Sequence, residues 1–335
     1  IALRLSKRES EMAADGYDLK AIATAAADNT LAVSGKDIVI KDQSNELKRM
    51  FEWLDCGMNA NLVTLMVGMN DPRLPLYMTK NAEDITNEKG EVTPKNSVYC
   101  GIRYASGMKQ KGSDGWYGHK MSQWVGSYNT PLPIFKAAEA YFLLAEAKLR
   151  WNIGGTSVKD LYEQGIRLSI KNELAYKGSF AGIENISDAD IDAYINGTTG
   201  QADYVDPGDS EHNCKAVNTL GVKWDDAASK EDQLARIQTQ KYIALFPLSN
   251  EGWAEQRRTG YPKFFVALVN KSNGAVDTQE GIRRVIYSSN AYDTNAEGIK
   301  GGIELLDKEN TSKKGISGDK GGTHLWWDNA NKGNF

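Results

Sequence analysis

Cysteine is scarce in this chain: Cys56, Cys100 and Cys214 are the whole complement, with no CxxC pair. An odd and widely spaced set argues against a disulfide framework or a structural zinc site and reads as free buried thiols. Histidine is equally sparse, and His119, His212 and His324 lie outside metal-ligand spacing of one another. No H-E-x-x-H, G-x-S-x-G, P-loop or G-x-G-x-x-G string occurs, and the stretch Gly315–Gly322 lacks the Lys-Ser/Thr of a phosphate-cradling loop. The expectation is a non-catalytic body that needs no cofactor and no metal. A basic excess is missing too: 40 Lys and Arg face 44 Asp and Glu, a net charge of −4, which gives phosphate backbones no footprint and excludes nucleic acid as a partner. The longest apolar run, Leu62 to Met69, is far short of the roughly 20 residues a membrane-spanning helix needs. The opening Ile-Ala-Leu-Arg-Leu-Ser has neither an initiating Met nor a signal core and reads as the inside of an amphipathic helix. A fragment is therefore expected, with any targeting signal or lipid-anchor cysteine upstream.

What is abundant is glycine, 32 residues, together with 15 Tyr and 8 Trp, concentrated in connecting segments. The clearest helix follows Pro131 and Pro133, with Ile134, Ala138, Tyr141, Phe142, Ala145 and Leu149 on one face. Gly154-Gly155 breaks it, Ser157 and Asp160 form a capping box, and an apolar stripe from Val158 to Leu174 runs to Lys177-Gly178. Residues 133–178 are thus expected to form a helical hairpin. A third helix is expected from about Lys230 to Phe246, and a fourth from Ser249 as cap to Gly260 as terminator, its Glu251 and Arg257-Arg258 placed to suit the helix dipole. An earlier helix over about Asn45 to Asn59 carries Leu47, Met50, Phe51 and Leu54 on one face. Residues 99–128, 179–229 and 270–323 are rich in Gly, Asp, Asn and Ser and read as long loops or small hairpins.

Among those loops, residues 99–128 hold six aromatics (Tyr99, Tyr104, Trp116, Tyr117, Trp124, Tyr128) interleaved with six glycines, well above the 9% aromatic content of the whole chain. Flat rings stack on sugar faces, and glycine loops leave them accessible, so a ligand platform is one reading and the packing of loops onto the body the other. Trp116-Tyr117, framed by Gly115 and Gly118, is the best candidate pair for exposed rings. Trp151 and Trp253 are expected in the core, and at least one of Trp326 and Trp327 is expected to be buried. The Asp203, Asp206, Asp209 and Glu211 cluster offers hard oxygen ligands without EF-hand spacing, and reads as a solvated turn with a calcium site as the sharper alternative.

Several strings are more specific. Asp71-Pro72-Arg73-Leu74-Pro75, the run Ala138 to Ala147 (AEAYFLLAEA), Gln240 to Phe246 (QKYIALF), Glu251 to Pro262 (EGWAEQRRTGYP), Arg283-Arg284, Asn295 and the closing Leu325-Trp326-Trp327-Asp328 together resemble the SusD/RagB family, and Leu3-Arg4-Leu5-Ser6 resembles one of its mid-chain helices. The resemblance covers essentially residues 1–335 as a single SusD-like domain, without the N-terminal part of the full protein. It implies a mainly α fold of tetratricopeptide-like helix pairs, long irregular ligand-binding loops and a few short β-hairpins. It also implies a surface-exposed outer-membrane lipoprotein, anchored through an N-terminal cysteine outside this chain. Such a protein partners a SusC-like TonB-dependent transporter and delivers oligosaccharide, or alternatively peptide, to it. On that footing the expected ligand contacts are stacking on Trp116 and Tyr117, helped by Tyr204 or Trp224 from the long middle loop. A glycoside hydrolase using loop carboxylates and a tetratricopeptide adaptor binding protein alone are the competing classes.

Overall fold

The structure, a computed structural model, describes residues 1–27, 34–41 and 43–335. Its elements in chain order are α1 (Glu9–Ala14), α2 (Leu19–Ala27), β1 (Ile38–Ile40), α3 (Leu47–Glu52), α4 (Ala60–Gly68), α5 (Leu74–Tyr77), β2 (Met78–Asn81), β3 (Ile85–Thr86), β4 (Val92–Thr93), β5 (Ser122–Trp124), β6 (Leu132–Phe135), α6 (Ala137–Trp151), α7 (Val158–Ala181), α8 (Asp188–Ile195), α9 (Lys230–Leu245), α10 (Ser249–Thr259), α11 (Ser289–Thr294) and α12 (Ala296–Glu309). The fold is mainly helical, as expected. The described strands pair only in antiparallel twos, β1 with β6, β2 with β5 and β3 with β4.

The hairpin stands in place. α6 and α7 pack along each other, α9 lies against both, α10 packs on α9, and α2 lies on α6. Their shared core is built from Phe142, Ala145, Tyr162, Ile166, Leu234 and Ile237, joined by Leu65 and Met66 of α4. Ser157 accepts the Asp160 amide to start α7, as the capping box predicts. The boundaries of four helices differ for local reasons. Residues 132–135 are extended and pair with β1, because a residue ahead of proline disfavours the helical region, so α6 begins at Ala137. Gly178 does not end α7. It lets the backbone of Ile183 approach to where a Cβ would sit 2.6 Å from its carbonyl, and Gly182 at φ +69° is the terminator. α3 stops at Glu52, where Leu54 adopts φ 60°, and only Phe51 of its apolar face is buried. α10 starts after Leu248 with no side-chain cap, so Ser249 is its first residue rather than its cap. The opening residues form turns and a short 3-10 segment at Ser6–Arg8 ahead of α1.

Two stretches expected as loop hold helices. Ser187 and Asp190 make a full capping box for α8, and Asn295 accepts the Gly298 amide to open α12.

Charged residues lie at the centre of the helical body, which is costly unless each is paired and hydrogen-bonded. Arg258 of α10, with no solvent exposure, grips Glu146 of α6 through two 2.7 Å bonds and also holds Glu255. Gln238 of α9 donates to Glu146 at 2.7 Å, and Lys241 of α9 lies 3.1 Å from Glu139 and 3.5 Å from Glu255. A second knot surrounds Arg73. It donates to Asp71 at 2.6 and 2.9 Å, to Ser169 of α7 at 2.9 Å and to Gln240 of α9 at 3.1 Å, while Tyr194 of α8 donates to Asp71 at 2.7 Å. A third joins Lys136 and Lys177 to Glu173.

Burial pushes the Glu146 carboxyl upward, but Arg258 and Arg150 outweigh it and hold the group below the usual carboxylate range. Glu255, against Arg258 and Lys241, and Glu173, between Lys136 and Lys177, are held down in the same way. A carboxylate depressed in the folded state contributes stability that is present above its unfolded value, about 4.3 for Glu, and is lost as pH falls through the folded value. The urea midpoint is therefore expected to stay level from neutral pH to about pH 5 and to fall steeply below about pH 4. At neutral pH, Glu146→Gln leaves Arg258 and Arg150 short of a counter-charge in the interior. It should cost about 3–5 kcal/mol, read as a lower urea midpoint with the helical circular dichroism retained at zero denaturant.

Candidate functional site

The glycine- and aromatic-rich loop is fixed to the helical body at its base. Ile102 donates its amide to Met58 and receives that of Ala60 at the start of α4, at 2.7 and 3.0 Å. Gly101 sits where a Cβ would meet the Met58 carbonyl at 2.7 Å, so only glycine allows the two backbones this close. This contact sets Tyr99 beside α4, on the wall of a cavity of about 400 Å³ lined by Val63, Val67, Val98, Val205 and Pro207, with Thr93 and Asp203 also at its edge. Lys80 places its ammonium 5.9 Å from the Tyr99 ring centre. The Tyr99 ring is half-buried, burial raises its phenol above the ordinary value, and its hydroxyl makes no hydrogen bond among the described residues. A flat ring, an apolar floor and a free hydroxyl together suit one face of a sugar.

Further along, Trp116 and Tyr117 precede a 3-10 turn at Gly118–Lys120. The Trp116 ring lies over Gly118, where a Cβ would come within 2.1 Å of it, and 6.1 Å from the His119 ring. Trp116 Nε1 and His119 Nδ1 are both buried without a hydrogen-bond partner among the described residues. Tyr117 is half-buried and engaged: its hydroxyl lies 2.9 Å from Asp206 Oδ1 and 3.2 Å from His212 Nδ1, and its ring covers Gly208.

Asp206 is the knot that ties the two loops. Its Oδ1 accepts Tyr117 and the Gly208 amide, and its Oδ2 accepts Tyr204 at 3.0 Å and faces His212 Nδ1 at 2.9 Å. Desolvation, reinforced by the Asp206 charge, pushes the Tyr117 and Tyr204 phenols far up, so both stay protonated donors. Asp206 therefore has no oxygen left over for calcium, and Asp203 is taken by Lys215 at 2.7 Å and by the Ala216 amide. The cluster reads as a folded turn, and no group of three metal-ligating side chains suited to a metal ion occurs among the described residues.

Of the four ring residues expected at the site, the structure brings Trp116, Tyr117 and Tyr204 to one loop assembly and sets Trp224 elsewhere. Tyr204 is 2% exposed and lies beneath the assembly, its ring 5.9 Å from Phe265. Trp224 is 7% exposed, bonds Asp226 and packs 5.2 Å from Tyr162 in the helical core. Tyr204 nevertheless belongs to the lining of the Tyr99 cavity, whereas Trp224 lies outside it. Burial also separates the other tryptophans: Trp151 is buried, Trp253 and Trp327 are half-buried with Arg257 over both rings, and Trp326 is exposed. The cavity wall at Tyr99 was missed as a site residue, although Tyr99 belongs to the aromatic excess that pointed to this loop. No signal in the sequence marked which of the six rings would line a cavity.

Removing the knot should free the loop without unfolding the helices. Asp206→Ala strands two phenols and an imidazole, at about 1–3 kcal/mol for each unpartnered group. Limited proteolysis is expected to cut first within residues 105–118 in the variant and to leave the wild-type loop intact. Equal cleavage of both would contradict the knot.

Residues 1–328 match the SusD-like family, described as Susd and RagB outer membrane lipoprotein. Among solved structures, a chitin-binding SusD homologue from Flavobacterium johnsoniae superimposes with a TM-score of 0.77 at 30% identity, covering 99% of this chain and 62% of its own. A SusD homologue from Bacteroides thetaiotaomicron gives 0.77 at 31% identity, with 98% and 64% covered, and one from Bacteroides vulgatus gives 0.76 at 31%, with 100% and 62%. The chain thus spans a little under two thirds of the length of these relatives. No protein of curated function matches it significantly.

Proposed function

For a chain that belongs to the SusD-like family of SusD and RagB outer membrane lipoproteins, we propose the role of a non-catalytic glycan-binding protein. It captures oligosaccharide at the cell surface and delivers it to a SusC-like TonB-dependent transporter in the outer membrane. The observation that carries this reading is the aromatic loop itself: a Trp-Tyr pair on a glycine turn is tied by Asp206 to a neighbouring loop whose Tyr204 and Pro207, with Tyr99, line an apolar cavity. Such a surface offers sugars ring faces and hydroxyl partners, and loops held in place in advance pay little ordering entropy on binding. His212, the imidazole nearest these rings, has both ring nitrogens turned to Asp206 and Asp209, so it is committed to structure. The chitin-binding Flavobacterium relative makes chitin oligosaccharides the first cargo to test.

Calorimetric titration with chitin oligosaccharides, other glycans and a mixed peptide digest is expected to give saturable heat with one glycan class. Trp116→Ala and Tyr99→Ala should each weaken that binding about tenfold to a hundredfold, corresponding to the loss of roughly 1.5–3 kcal/mol of ring burial. Heat from peptides alone would move the cargo to peptide. Unchanged glycan affinity in both variants would place the site away from this loop.

A further inference from the structure

A second cavity, of about 130 Å³, opens between α9 and the segment 217–221, at the C-terminal end of α4. It is separate from the aromatic loop, and its lining is charged. Arg236, Lys263 and Asp232 border it, with Thr239, Asn218 and Tyr261.

Arg236 is half-buried, and its side chain differs from the buried arginines in the partners it holds. Arg73, Arg258, Arg283 and Arg284 each hold a carboxylate, and Arg103 and Arg257 spend their guanidinium groups on carbonyls of Val266 and Arg283. The one hydrogen bond of the Arg236 side chain among the described residues runs to the Asp232 carbonyl of its own helix at 3.4 Å, and its Nε is buried without a partner. Thr239, one turn on and buried, makes no side-chain hydrogen bond among the described residues. A half-buried guanidinium whose Nε is buried without a partner gains from an incoming oxyanion, and its planar fork suits a carboxylate in two-point contact. Asp232 supplies the complementary acceptor for a hydroxyl beside that carboxylate, and Arg236 with Lys263 leaves the balance of charge positive.

We propose that this cavity binds the carboxylate of a hydroxylated acid of the uronic-acid class. Arg236 takes the carboxylate, Lys263 adds charge, Thr239 donates its hydroxyl, and Asp232 accepts a ring hydroxyl. The volume admits the carboxylate end of one residue. The assignment rests on the glycan reading only for the source of such a ligand, and the two fail separately: neutral oligosaccharide binding tests the aromatic loop, and free glucuronate tests this cavity.

The experiment is calorimetry of the whole chain with sodium glucuronate, glucose and a dipeptide, repeated on Arg236→Gln, Arg236→Lys and Thr239→Val after circular dichroism and melting confirm folding. Saturable heat is expected with glucuronate and none with glucose. Arg236→Gln should weaken binding at least about tenfold, the effect of losing a charge-assisted hydrogen bond. Arg236→Lys and Thr239→Val should fall between it and the wild type, and they decide the matter if Arg236→Gln does not fold. Silence with glucuronate, or equal affinity in the folded variants, overturns the site. Tighter binding of the dipeptide that also depends on Arg236 overturns the sugar class.

Discussion

Arg258, wholly out of contact with water and gripped by Glu146 and Glu255, is the constraint on which the rest of the structure depends. A buried guanidinium tolerates little displacement of its carboxylates, so α6 and α10 are held to one mutual position. Gln238 and Lys241 extend the same condition to α9. Arg73 imposes a parallel one, because Asp71, Ser169, Tyr194 and Gln240 must converge on it from the α4–α5 turn, α7, α8 and α9. Apolar packing alone permits many sliding arrangements of helices, whereas an ion network of this kind is badly unsatisfied in all but one. Its contribution is therefore better described as specificity of arrangement than as net stabilisation.

The charged residues that form the core of these two networks lie in the strings that carried the family resemblance. Asp71 and Arg73 belong to DPRLP, Glu139 and Glu146 to the AEAYFLLAEA helix, Gln240 and Lys241 to QKYIALF, and Glu255 and Arg258 to EGWAEQRRTGYP. Family membership was legible because a buried charge network restricts residue identity more tightly than an apolar core does. The cargo was not legible for the complementary reason: none of these side chains lines the cavity at Tyr99.

Local chemistry decided how much else could be read. The α6–α7 hairpin, α9 and the glycine end of α10 follow from periodicity and punctuation that the fold obeys. α8 carries the same S-x-x-D box that marked α7, but it is short and sits in a polar, glycine-flanked stretch, so composition masked it. Three glycines in α12 had the same effect. Gly178 illustrates the opposite case, a glycine placed for close approach of Ile183 rather than for a left-handed turn. Rings posed the hardest question. Tyr204 and Trp224 lie in a polar loop segment yet are drawn inward, by Asp206 in one case and by Tyr162 and Asp226 in the other. Burial of that kind depends on partners distant in sequence, and no local pattern records it.

The resulting molecule is a helical frame with fixed charges inside and loops tied to it at a few points, Gly101 against α4 and Asp206 between Tyr117 and Tyr204 chief among them. Capture of neutral glycan is expected to engage those loops and to leave the frame unchanged. Hydrogen exchange measured with and without a saturating neutral oligosaccharide is the decisive experiment. Added protection is expected within residues 98–119 and 202–212 and none in α6, α9 or α10. Protection spread through those helices, or missing from both loops, would contradict it.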